Sequence, residues 1–229
     1  MRTVSASIFI LCLFLTVSAQ ERMTDREFEG FKGDVKTVSI ETMPLTDPRL
    51  KNKRVVWEKW TYNFAGMKME ENNPQGKSKV VFRYADGVKI GETISQEGGR
   101  RETFTNRYVY EYDARGRVKT ERVYFNKNRP PIVRNFRYDA NGRLTEKTED
   151  SPTSFTRTTF KYDARGNLSE KLDEQKGKGE YSGDSKTRTV YSGYKIDAYG
   201  NWTERKTTVY YEGEPKPYIS MDYQVITYF

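Results

Sequence analysis

Hydrophobic and polar positions alternate along most of the chain. Arg107-Tyr108-Val109-Tyr110-Glu111-Tyr112 and Arg157-Thr158-Thr159-Phe160-Lys161-Tyr162 are β-prone runs of this kind, with the period of strands that bury one face. Such runs end in one recurring element. Tyr112-Asp113-Ala114-Arg115-Gly116-Arg117-Val118, Tyr138-Asp139-Ala140-Asn141-Gly142-Arg143-Leu144, Tyr162-Asp163-Ala164-Arg165-Gly166-Asn167-Leu168 and Ile196-Asp197-Ala198-Tyr199-Gly200-Asn201-Trp202 align without gaps, their glycines 26, 24 and 34 residues apart. Phe82 to Val88 is a degenerate fifth copy and Tyr62 to Met67 a sixth. Asp opening a type I turn accepts from the backbone two residues on, and Gly at the fourth position supplies the left-handed conformation of a short, bulged hairpin loop. Each copy therefore predicts strand, turn, strand.

If the register runs unbroken through each turn, Tyr108, Tyr110, Tyr112, Phe136, Tyr138, Leu144, Phe160, Tyr162, Leu168, Tyr194, Ile196 and Trp202 share one face. Arg117, Lys119, Arg137, Arg143, Lys147, Lys161, Lys171, Lys195 and Arg205 share the other. Arg122, Arg134 and Lys206 then stand as exceptions on the aromatic side. The expected fold is all-β: an antiparallel meander of repeated hairpins in a single domain over 33–229, with the repeats clearest over 78–205. Opening strands are expected at Gly33 to Ile40 and Arg54 to Tyr62, a closing strand at Tyr218 to Phe229, and loops at Asn72 to Lys77 and Gln175 to Asp184. About twelve to fourteen strands exceed the ~10 that an open twisted sheet carries without curling, so a curled open sheet or partial barrel is expected.

Tyr-Asp-x-x-Gly-Arg-Leu repeated at this spacing resembles the YD repeats of bacterial RHS-repeat proteins, found also in toxin shells and teneurins. The resemblance implies a long antiparallel sheet that curls on itself. It also implies sugar binding, a description sometimes attached to proteins with these repeats. Larger members close the sheet into a shell around a cargo, for which this chain is too short.

Residues 1–19 read as a signal peptide. Arg2 precedes the apolar run Ile8 to Val17, and Val17-Ser18-Ala19 offers small residues for cleavage after Ala19. Export to the periplasm or the cell exterior follows, with residues 20–32 as a flexible lead-in. Removing Arg2 leaves 39 basic against 32 acidic residues, a net charge of +7. The chain has no His, and its one Cys, Cys12, lies in the leader. Disulfides, zinc fingers, thiol nucleophiles and Ser-His-Asp hydrolysis are thereby excluded from the mature protein.

Glu146, Glu170 and Glu204 recur once per hairpin, on the aromatic face if register is kept. Two strand spacings, roughly 10 Å, would then separate neighbours, near the distance used by inverting glycosidases. A carboxylate present in every copy reads better as a structural part, so a non-catalytic binding or structural module is expected. A glycan-processing enzyme is the alternative. Trp57, Trp60, Tyr210 and Tyr211, near sheet ends, are candidates for stacking on sugars. Arg137, Lys161 and Lys195 are candidates for holding anionic polymers. The expected partners are a polysaccharide, another cell-envelope component or a protein, and export argues against nucleic acid. One carboxylate per turn (Asp113, Asp139, Asp163, Asp197) is too few for calcium, and no metal or cofactor is expected. A second alternative is an outer-membrane barrel, since Met221, Tyr223, Val225, Thr227 and Phe229 alternate like a closing strand.

Overall fold

The Asp-Ala-x-Gly elements close as their chemistry requires. In the hairpin at Asp139, the Arg143 amide donates to the Asp139 side chain at 2.9 Å, as does the Asn141 amide at 2.9 Å. The Gly142 amide donates to the Asp139 carbonyl at 3.1 Å. Gly116, Gly142, Gly166 and Gly200 have φ of 75°, 81°, 85° and 89°, a region that residues with a Cβ enter only at a cost.

The computed structural model describes residues 22–47, 49–50, 53–85, 88–97, 100–125, 129–179 and 183–229. The leader expected at 1–19 and the cleavage site expected after Ala19 lie outside them, as do Asp86 and Gly87 of the degenerate copy and 180–182 of the loop expected at Gln175 to Asp184. A short helix, α1 (Asp25–Phe28), precedes β1 (Val35–Pro44), β2 (Val55–Tyr62), β3 (Lys68–Asn73), β4 (Ser78–Ala85), β5 (Val88–Glu97), β6 (Arg100–Tyr112) and β7 (Val118–Tyr124). Then come β8 (Ile132–Tyr138), β9 (Leu144–Asp150), β10 (Ser154–Tyr162), β11 (Leu168–Gly177), β12 (Ser185–Ile196), β13 (Trp202–Tyr211) and β14 (Tyr218–Tyr228). Consecutive strands pair antiparallel, and β1 pairs with β14 from Val35–Tyr228 to Pro44–Ser220, which closes the meander into a barrel. Closure removes both sheet edges. The strands overrun two loop assignments, since β3 continues to Asn73 and β11 to Gly177.

The Tyr of the second and third copies ties its hairpin to the one before, and in the fourth, where Ile196 holds the aligned position, Tyr194 does so from two residues upstream. Tyr138 donates to the Val118 carbonyl at 2.8 Å, Tyr162 to that of Leu144 at 2.8 Å, and Tyr194 to that of Leu168 at 2.5 Å. Arg117 and Arg143 stack on Tyr138 and Tyr162 at 4.6 and 4.8 Å, adding a cation–π contact across the same junctions.

Register does not run unbroken through the turns. Arg137 faces Glu146 while Tyr138 faces Leu144, so Thr145 is an extra residue; the same shift separates Lys161–Glu170 from Tyr162–Leu168 and Lys195–Glu204 from Ile196–Trp202. One inserted residue exchanges the faces of everything beyond it. Glu146, Glu170 and Glu204 therefore lie outside the barrel, not on the aromatic face, and Lys147, Lys171 and Arg205 point inward, not onto the basic face. Two exceptions also resolve: Arg122 pairs with Glu111, and exposed Lys206 lies opposite Met221 on the exterior. Arg134 stays inside, bonded to Glu121 at 2.8 Å and Glu149 at 2.7 Å.

Residues 20–32, expected as a flexible lead-in, include instead a plug across the rim that carries these turns. Thr24 and Glu27 form a capping box, which holds a helix of one turn. Asp25 accepts from the Lys68 amide at 2.8 Å, from Lys89 Nζ at 2.9 Å and from the Tyr84 hydroxyl. Phe28 meets Phe136 of β8 edge-on at 5.0 Å. Phe31 packs with Val35, Val38 and Tyr62, and the Lys32 amide donates to Asn201 Oδ1 at 2.8 Å. One short segment thus reaches β3–β5, β8, β2 and the turn before β13, so it crosses the lumen.

Hydrogen bonds from Arg143 and Asn167 hold the Asp139 and Asp163 carboxyls below their ordinary value of 3.8. A depressed carboxyl stabilises the fold above its unfolded value, and that contribution is lost as pH falls. Hydrogen-exchange protection at Arg143 and Asn167 is expected to drop, relative to mid-strand amides, between roughly pH 5 and pH 2. Asp139→Asn should abolish this dependence at its own hairpin alone. Identical pH profiles for turn and strand amides would contradict the assignment.

Candidate functional site

A cavity of about 490 Å³ lies between the plug and the wall formed by β1, β2 and β11–β14, within the roughly 300–1,000 Å³ common to small-molecule sites. Trp60 and Trp202 supply aromatic wall, and Glu58, Arg205 and Gln224 supply polar groups. Alternation along β2 and β14 turns Glu58, Trp60 and Gln224 inward; Trp202, opposite Ile196 and before the extra residue Thr203, already faces in, and the bulge turns Arg205 the same way.

Three polar atoms in these walls are buried without a hydrogen-bond partner: Trp60 Nε1, Arg205 Nε and Gln224 Oε1. Buried polar groups are satisfied in the great majority of cases, so their concentration around one cavity marks it. Burial pushes the Glu58 carboxyl up, and repulsion from Glu71 and Glu29 adds to this. Lys68 attracts Glu58 but is bonded to Glu29 and Glu71. A second cavity of about 260 Å³, beside Asp25 and Tyr84, has polar groups that are already mutually bonded.

Of the aromatic candidates, the structure brings only Trp60 to the cavity. Trp57 is exposed on the exterior of β2, and Tyr210 and Tyr211 are exposed at the far end of β13. Arg137, Lys161 and Lys195 project outward with side chains 78%, 71% and 68% exposed, and bond to Glu146 at 3.1 Å, Glu170 at 2.7 Å and Glu204 at 2.9 Å. Their charges are offset by the same carboxylates that recur once per hairpin. Asp113, Asp139, Asp163 and Asp197 are engaged by their own turns. No group of three His, Cys, Asp or Glu side chains able to hold a metal occurs among the described residues.

Sequence reasoning missed Glu58, Trp202, Arg205 and Gln224 as a group. A signal existed in the fourth repeat, where Trp202 replaces Leu144 and Leu168, and Arg205 replaces Lys147 and Lys171. Leu168, at the same position of the third copy, also lines the cavity, so it is the side chain and not the position that is special to the fourth copy.

The fold and its turns define an RHS/YD-repeat-like β-barrel. Residues 138–177, from the end of β8 through β11, match the family model of the RHS Repeat. No curated protein matches the chain. Among solved structures, a porin-like protein from Bacteroides uniformis ATCC 8492 is similar over 86% of this chain and 99% of that one, at 12% identity and a TM-score of 0.44.

Proposed function

We propose that this protein is an exported, non-catalytic binding module whose barrel holds a carbohydrate in the cavity beside the plug. The observation that carries this reading is the pairing of Trp60 and Trp202 with unpartnered polar atoms of Trp60, Arg205 and Gln224 around one space. Sugars present apolar C–H faces that suit indole rings and hydroxyls that suit such groups. Glu58 adds an acceptor on the β2 wall. The outward, ion-paired placement of Glu146, Glu170 and Glu204 supports a role without catalysis.

The barrel exterior supports a water-facing rather than lipid-facing protein. Arg137, Arg157, Lys161, Lys186, Arg188 and Lys195 form ion pairs along β8–β13, and a basic residue at a bilayer midplane costs about 2–4 kcal/mol. The leader at 1–19 supports export to the periplasm or exterior.

Two of the chain's three tryptophans line the cavity, so sugar binding should change intrinsic fluorescence even in Trp57→Phe. Trp202→Ala is expected to weaken binding about tenfold, ~1.4 kcal/mol. A broad panel of sugars and oligosaccharides that leaves fluorescence unchanged would sink the reading.

A further inference from the structure

Arg205 is the best-prepared group in the cavity wall. Its guanidinium lies between Tyr191 and Trp202, 4.1 Å from each ring, an arrangement that fixes the plane of the fork. Its acidic neighbour is Asp222, 3.6 Å from Nε and beyond hydrogen-bond reach. Asp222 is otherwise engaged: Thr42 and Ser220 donate to Oδ1 at 3.1 and 3.2 Å, and Thr207 donates to Oδ2 at 2.5 Å. Lys171, at the same place in its own repeat, bonds Asp173 at 2.8 Å. Arg205 instead has Asp222 as an ion pair without a hydrogen bond from Nε.

Lys32 and Arg165 line the same cavity and add positive charge on this side. Carboxylates lie on the opposite side. Glu29 is bonded to Lys68 and to the Tyr62 hydroxyl, while Glu58 remains available to accept. The cavity is therefore polarised, with cations at β13 and the rim and an acceptor at β2. A neutral sugar would offer the Arg205 Nε–H, which makes no hydrogen bond, no charged acceptor.

We propose that the cavity takes a carboxylate-bearing sugar residue of the uronic-acid type, its carboxylate on Arg205, its ring against Trp202 and Trp60, and its hydroxyls toward Glu58 and Gln224. This rests on the reading of the cavity as a sugar site. A planar carboxylate matches the guanidinium fork with two parallel hydrogen bonds. The anionic specificity assigned from sequence to an outer face is here placed inside the barrel, where the cation lacks a bonded carboxylate.

The test titrates the full exported chain with glucuronate and galacturonate oligomers and with their neutral glucose and galactose counterparts, read by calorimetry. Acidic oligomers are expected to bind at least tenfold more tightly, and Arg205→Gln should bring the affinities for acidic and neutral oligomers to within about twofold of each other. Arg205→Lys, which keeps the charge but not the fork, should retain only part of the preference. The preference of the unaltered chain is itself a readout, independent of whether either variant folds. Neutral binding without acidic preference would overturn this proposal and leave the sugar-site reading standing. Binding of neither class would overturn both. Acidic binding lost in Arg137→Glu/Lys161→Glu/Lys195→Glu but kept in Arg205→Gln would return the site to the exterior and overturn the proposal.

Discussion

Lys68→Met is expected to lower folding stability by about 2–4 kcal/mol, toward the lower part of what breaking a buried ion pair costs. It leaves the partly buried Glu29 carboxylate without its cation, while Glu71 keeps access to water. Lys68 is 4% exposed on β3 and bonds Glu29 of the plug and Glu71 of its own strand. Its ammonium also lies 4.6 Å from the Trp60 ring centre. Burial pushes the Glu29 carboxyl up even with Lys68 beside it, so removing the cation strands a group already poorly solvated. A typical domain has only about 5–15 kcal/mol in total, and the urea midpoint should fall steeply. Adding Glu29→Gln to Lys68→Met should recover part of the loss, since the double change removes one uncompensated charge. Melts of Lys68→Met that overlay those of the parent would mean that the plug is not held by this pair.

Phe136→Ala is expected to cost about 3–5 kcal/mol as a large-to-small change at a buried site. Phe136 is 7% exposed on the inner face of β8, where Phe28 of α1 meets it at 86° between ring planes. Phe28→Ala should cost less, because α1 has no fully buried residue. The double-mutant cycle is the sharper measurement. A coupling of about 0.5–1.5 kcal/mol between the two positions is expected for an edge-to-face pair. Additive losses would show that the plug does not cross the lumen to β8.

The bulge shows where reading a repeat stops. Asp139 to Gly142 announces a short bulged loop through local backbone chemistry, and the structure has that loop. The unpaired residue that such a loop leaves in the returning strand is invisible without the partner strand. Drawing the faces with unbroken alternation put Glu146 inside and Lys147 outside, and pairing reverses both. Residues before each turn, such as Arg137, Phe136, Lys161 and Phe160, keep their expected sides because no insertion intervenes. The plug was illegible for another reason. Gln20 to Lys32 is charged and short, and Asp25 acquires its place only when Lys68, Tyr84 and Lys89 arrive from three different strands.

By itself the sequence determined the hairpins, their turns, the meander and the strand count, since Asp, Gly and period-two alternation act within a few residues. Only the tertiary structure decided that β1 closes on β14, which side faces the lumen beyond each bulge, and that α1 fills the rim. Those outcomes depend on pairing between segments far apart in the chain, as with Thr37 and Thr227, 190 residues apart. The cavity is the last consequence of this kind: Glu58, Trp60, Trp202, Arg205 and Gln224 meet because the barrel closes, and no local pattern brings them together.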